Sequence, residues 1–231
     1  MKFSAAFRAI AALCACSLAL LAGCATAPPP GATDWQAMTL PGKKETVYTW
    51  CDKDGRRALA AESDQSASLW RKRLDPAHEA VGLVRFSWWV QDLVPGASVA
   101  DAAREDAPAR VIFGFAGDVA SLPLRTRAMF DFAHALTGER PPYATLMYVW
   151  DSSLPVGTVV INPRSDRVRK IVVDSGPQQL RRWRDHQRDL AADFRLAFGE
   201  APGALTSVAV MTDSDNTGTQ GRSWYGAVEW H

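Results

Sequence analysis

The chain has 231 residues, 47% of them hydrophobic and 22% charged, with 26 basic and 25 acidic side chains for a net charge of +1. That apolar fraction is ordinary for a folded protein with a real core and excludes a disordered chain. The balanced charge leaves no global field that would gather nucleic acid.

Lys2 and Arg8 precede an apolar run from Ala9 to Ala22. This is the layout of a secretory signal, and the run is too short to serve as a permanent membrane span. It ends in Leu21-Ala22-Gly23-Cys24, which resembles the lipobox of bacterial lipoproteins. The resemblance implies a signal peptide over 1–23, cleavage before Cys24 and lipidation of that cysteine, which ties the chain to a membrane. Ala25 in place of Asp implies, by the same resemblance, the outer membrane of a Gram-negative cell, with the folded part facing the periplasm. Several acyl chains together hold far more firmly than one. Cys14 and Cys16 lie inside the signal, so Cys51 is the one thiol left, without a disulfide partner and read as a small buried hydrophobe. Residues 24–34, with Pro28-Pro29-Pro30-Gly31, form an extended tether. The globular part is expected over 35–231 as one domain.

Within it, Thr46 to Trp50 and Arg57 to Ala61 flank Asp52-Lys53-Asp54-Gly55, and Asp-Gly between apolar runs signals a hairpin. Ser66 to Leu74 continues as a strand that should stop at Asp75-Pro76. Leu83 to Gln91 is the clearest strand, because Val84, Phe86, Trp88 and Val90 share one face at period two. Trp89 stands on the opposite, otherwise polar face. Packing under a helix or loop is the commoner fate of such a ring; left exposed, it would suit stacking on sugars or bases. Arg110 to Ala116 reads as a strand after the break at Pro108. From Pro123 to Leu136, Leu124, Ala128, Phe132 and Leu136 form a helical stripe on a surface helix that Gly138 ends. Thr145 to Trp150, Thr158 to Ile161 and Arg169 to Val173 return to strand chemistry. Trp183 to Phe198 is expected to be a second helix with a solvated face of alternating Asp and Arg, capped by Gly199. A last strand pair, Leu205 to Trp230, carries the acidic turn Asp213-Ser-Asp215-Asn216-Thr217-Gly218 at its tip. About ten strands with two inserted helices predict a mainly β, antiparallel sandwich or jelly roll.

Most catalytic signatures are absent: there is no nucleophile elbow, phosphate loop or His-Glu-x-x-His. The four histidines are scattered. Paired carboxylates occur at Glu105/Asp106 and Asp213/Asp215, and adjacent acids can divide acid and base roles in glycoside hydrolysis. The acidic turn fits a hard cation better. Asp213, Asp215, Asn216 and Thr217 followed by Gly218 imitate the opening of a calcium loop, but Trp224 stands where the closing Glu would be. An Asx-rich turn held by its own hydrogen bonds is the favoured reading, with Ca2+ as its competitor.

Several stretches, taken together and in this order, resemble the bacterial family catalogued as domain of unknown function 3047. They are Ser66-Ala67-Ser68, Phe86-x-Trp88, Glu105-Asp106-x-x-Ala109-Arg110-Val111, Tyr148-Val149-Trp150, Trp183 with Arg188, Asp193-Phe194-Arg195-x-Ala197-Phe198-Gly199 and Met211 to Gly218. The resemblance covers about residues 35 to 231 and implies a β-sandwich like those of carbohydrate-binding modules, with no activity assigned. This chain departs from the family pattern at Glu105, Phe86 and Ala227-Val228. The last departure removes a carboxylate, which a binding role tolerates better than catalysis does.

The expectation is a non-catalytic, lipid-anchored sandwich that binds an envelope ligand, a glycan being the nominated class. Trp89, Trp150 and Trp224 would be its stacking surfaces, and Asp106, Arg110, Asp213, Asp215 and Asn216 its polar contacts. The alternatives are a hydrolase using Asp106 with Asp213 or Asp215, and an envelope protein meeting an acidic protein partner through Arg164 to Lys170 and Arg181 to Arg188. All site readings require the acidic turn to lie beside the residues preceding the Arg110 strand.

Overall fold

A computed structural model describes residues 27–29 and 32–231. The expected signal peptide, the Cys24 expected to carry lipid and part of the expected tether lie outside the described residues. Among the described residues are thirteen strands and two α-helices. In chain order the first six strands are β1 (Trp35–Thr39), β2 (Val47–Lys53), β3 (Arg56–Asp64), β4 (Ser68–His78), β5 (Leu83–Val90) and β6 (Ala107–Phe115). Helix α1 (Leu124–Thr137) follows, then β7 (Ala144–Asp151), β8 (Val159–Asn162), β9 (Ser165–Ser175) and β10 (Trp183–Asp189). Helix α2 (Leu190–Phe198), β11 (Leu205–Asp213), β12 (Gln220–Tyr225) and β13 (Glu229–Trp230) complete the chain.

The strands form two sheets. One runs β1-β4-β11-β6-β7-β9-β8; the other runs β10-β5-β12-β3-β2, with β13 beside β5. All pairings are antiparallel except β7 with β9. The fold is therefore the mainly β, antiparallel sandwich that the strand pattern predicts. Val84, Phe86, Trp88 and Val90 are buried as their alternation requires, facing Val111, Phe113, Leu146 and Tyr148 of the other sheet. The β2–β3 hairpin turns at Asp54 and Gly55, both with positive φ, as Asp-Gly predicts.

Four expectations need correction. Strand β4 does not stop at Pro76 but runs on to His78, and its register with β11 shifts there, which accommodates a residue with no N–H to give. The apolar stripe of α1 faces outward: Leu124, Phe132 and Leu136 are exposed, and Phe130 is the side chain that is buried. Trp183 to Phe198 is not one helix. Its first half is β10, paired with β5 over seven rungs, and the helix begins only after Asp189, whose carboxylate accepts from Ala192 N. Finally, β11 and β12 are not paired with each other. The acidic turn carries the chain from one sheet to the other, as sandwiches require of some connections.

Candidate functional site

Strand alternation that fills the core with Val111, Phe113, Val208 and Val210 sends Arg110, Ile112, Ala209, Met211 and Asp213 to the outer face of the seven-stranded sheet. There they join Leu69, Met147 and Met38 in an open groove of about 340 Å³. Ala67, Ile112, Ala209 and Met211 form an apolar cluster there, packed by Leu40, Leu69 and Met147. Gly114 belongs to the same groove, where a Cβ would meet Ser207 Oγ at 2.5 Å and Pro142 Cγ at 2.9 Å.

One long wall is a chain of alternating charges. Arg110, with its side chain only 3% exposed, grips Asp213 with a two-toothed fork, Nε to Oδ1 and Nη2 to Oδ2, both at 2.9 Å. Nη2 also donates to Glu105 O at 2.6 Å, and Asp213 Oδ1 accepts from Ala107 N at 3.0 Å. The Glu105 carboxylate is held by Lys170 at 2.6 Å and by Asn162 Nδ2 at 2.8 Å, with Arg164 at 3.3 Å. Lys43 closes on Asp215 from the loop after β1. Burial outweighs the downward pull of the Arg110 fork and leaves the Asp213 carboxyl raised to about 6. Burial and the nearby Arg110 charge pull the fully buried Lys170 ammonium down to about 8, against the upward pull of Glu105.

The acidic turn does lie beside the residues that precede β6. Asp106 accepts from Asn216 N at 3.2 Å, from Thr217 N at 2.7 Å and from Thr217 Oγ1 at 2.7 Å. Asp106, Asp213 and Asp215 bring carboxylate oxygens within 4.8 Å of one another. Arg110 and Lys43 supply the positive charge of that cluster. Of the nominated calcium ligands, Asn216 and Thr217 face Asp106 as donors, and both oxygens of Asp213 are taken by the fork. Both oxygens of Asp106 are engaged as well; of the nominated hydrolytic acids only Asp215, paired with Lys43 through Oδ2, keeps its other oxygen without a partner among the described residues.

The aromatic half of the expected site is not where the sequence suggests. Trp150 is wholly buried between the sheets, 6.3 Å from Trp88, and donates Nε1 to Gly176 O at 3.1 Å. Its parity with Leu146 and Tyr148 put it on the core face of β7. Trp89 and Trp224 pack edge to face at 4.9 Å on the outer side of the six-stranded sheet. Lys53 Nζ sits 3.8 Å from the Trp89 ring and 4.9 Å from Trp224, and Trp183 packs against them. Both rings are under a tenth exposed, so none of the three is a stacking surface. Besides Trp183, the half-buried tryptophans are Trp35, Trp50, Trp70 and Trp230, which line a second pocket of about 250 Å³ with Pro29 and Ala32. Sequence reasoning missed Trp35 and Trp50 because their openness comes from strand order: β1 and β2 are the outermost strands of their sheets.

Solved structures resemble this chain at low identity. A family 11 carbohydrate-binding module from Clostridium thermocellum, in complex with a β-1,3-1,4-mixed-linked tetrasaccharide, is 9% identical with a TM-score of 0.42, over 88% of this chain and 91% of that one. The xyloglucanase domain of NopAA from Sinorhizobium fredii, in complex with cellobiose, is 10% identical with a TM-score of 0.44, over 85% and 93%. The likeness lies in the fold alone. No curated protein matches the chain. The sequence model of a family described as "protein of unknown function (DUF3047)" matches residues 33–229, and the chain belongs to that family.

Proposed function

We propose that this chain is a lipid-anchored envelope protein, held by Cys24 on the periplasmic side of the outer membrane, whose sandwich binds an elongated ligand in the outer-face groove without transforming it. The lipobox-like Leu21-Ala22-Gly23-Cys24 supports the anchor. The observation that carries the binding role is the groove itself: an apolar floor beside a wall of carboxylates already neutralised by Arg110, Lys170 and Lys43. Such a site offers shape, apolar contact and fixed charge, as ligand pockets do. Asp106 and Asp213 are held at both oxygens and Asp215 is tied to Lys43, so no two of these acids are free to divide acid and base roles, which favours binding over hydrolysis. A glycan reading has one observation of its own, the four half-buried tryptophans around the second pocket.

The methionines test this directly. Met38, Met147 and Met211 line the groove, while Met129 lies on α1 outside it. In the mature chain carrying Cys24→Ser, which takes no lipid, methyl signals of the first three should shift together on adding a delipidated or lipid-rich envelope extract, with Met129 unmoved. Shifts confined to the indole signals of Trp35, Trp50, Trp70 and Trp230 would move the site to the second pocket. If neither set responds, the binding role fails.

A further inference from the structure

Resting on that reading of the groove, we propose that its ligand is a single-chain anionic amphiphile, a long-chain fatty carboxylate being the simplest form. Its tail would lie across the strands, with its charged end at the rim formed by Lys43 and Arg164.

The floor argues for the tail. From Met38 on β1 to Val168 on β9, groove residues sit on six neighbouring strands. At about 4.8 Å per step, the five steps between them span about 24 Å. An acyl tail in one bilayer leaflet spans about 15 Å, half of a hydrocarbon core about 30 Å thick. Between those limits the floor is Leu69, Ala209, Met211, Ile112 and Met147, and no aromatic ring lines the groove. Methionine is flexible and polarizable, so it moulds itself to a chain that has no fixed shape. A sugar placed there would find no ring to stack on, and its hydroxyls over the Ile112–Met147 floor would be buried without partners, which is costly.

The rim argues for the negative charge. The acids of the groove are sunk: side chains of Glu105, Asp213 and Asp215 are 9%, 5% and 9% exposed. The charges that face solvent are Lys43 and Arg164, at 43% and 62%. On the opposite side Arg71 forks onto Glu139 but leaves its buried Nε without a partner. A ligand arriving from water therefore meets cations first, and each can pivot toward an anion while keeping its root in the wall.

Titrating palmitate into the mature Cys24→Ser chain should shift the methyl signals of Met38, Met147 and Met211. Ala209→Trp, which fills the floor, should abolish the effect; should that variant fail to fold, Met147→Glu, at a half-exposed position, reads the same property. The double variant Lys43→Gln/Arg164→Gln should weaken palmitate by about tenfold, as expected for losing two exposed cations, while leaving a neutral monoacylglycerol unchanged. If a monoacylglycerol or cellotetraose shifts the groove signals and palmitate does not, the ligand class is overturned and the groove reading stands. Palmitate binding that survives filling the floor overturns the proposal too. If neither these probes nor the envelope extract moves the groove methionines, both readings fall together.

Discussion

Asp174 shows how this core handles a buried charge. Its Oδ2 accepts from Trp88 Nε1 at 2.8 Å and lies 2.8 Å from His186 Nε2, while Arg184 reaches Oδ1 through Nε and Nη2 at 3.1 and 3.0 Å. Burial alone would raise its pKa, but the hydrogen bonds from His186, Arg184 and Trp88 more than offset that and hold the carboxyl below the usual range. A depressed folded value means stability that is present above the unfolded pKa of about 3.9 and lost as pH falls through the folded one. Asp174→Asn should therefore lower the melting temperature at neutral pH and flatten its fall on acidification below about pH 4; an unchanged acid limb would show that the network contributes nothing. At this scale the sequence was partly legible. Period-two alternation placed Trp88 correctly, and the same parity, carried from Leu146 through Tyr148, was the signal that Trp150, nominated as a stacking surface, belongs to the core. Lys170 was hidden: among Arg164, Arg167 and Arg169 it reads as one more surface cation, although it shares the parity of the buried Val172. Two acceptors distant in sequence, the Glu105 carboxylate and Val99 O at 2.7 Å, account for a fully buried ammonium.

At the scale of elements, the two helices fail the pattern in opposite ways. The charged segment 184–189 could be a salt-bridged helix face as easily as an edge strand. Edge strands carry alternating charge to discourage pairing with other chains, and β10 is the last strand of its sheet. The Asp189 cap, where the period changes, was the local signal for the boundary. Helix α1 is held by few neighbours. Phe130, 3% exposed, anchors it, while Phe132, 69% exposed, does not. Phe130→Ala should cost about 3 kcal/mol, in line with removing a buried ring, and should speed hydrogen exchange through α1. Phe132→Ser should stay within about 0.5 kcal/mol, as exposed positions do. Equal effects from the two would mean that the helix is seated differently.

For the whole molecule, the decisive feature is where the late strands fall. β11 lies between β4 and β6 in one sheet, and β12 lies between β5 and β3 in the other. Such non-local pairing should make folding slow, in milliseconds to seconds. A chain ending before Leu205 should give no cooperative unfolding transition by circular dichroism; a sharp transition would show that one sheet closes unaided. Composition and strand alternation announced the sandwich, but no local signal revealed that its last two long strands belong to different sheets, because sheet membership is a property of the assembled whole.

This placement also acts as a test of completeness. Without Leu205 onward, the first sheet splits into a β1–β4 fragment and a four-strand remnant, and the second separates β5 from β3, each with open edges that invite mispairing. A polypeptide still emerging, or one stopped early by a nonsense codon, has no half that can set on its own. It would stay threadable until synthesis ends, and a shortened product would be left for proteases to clear.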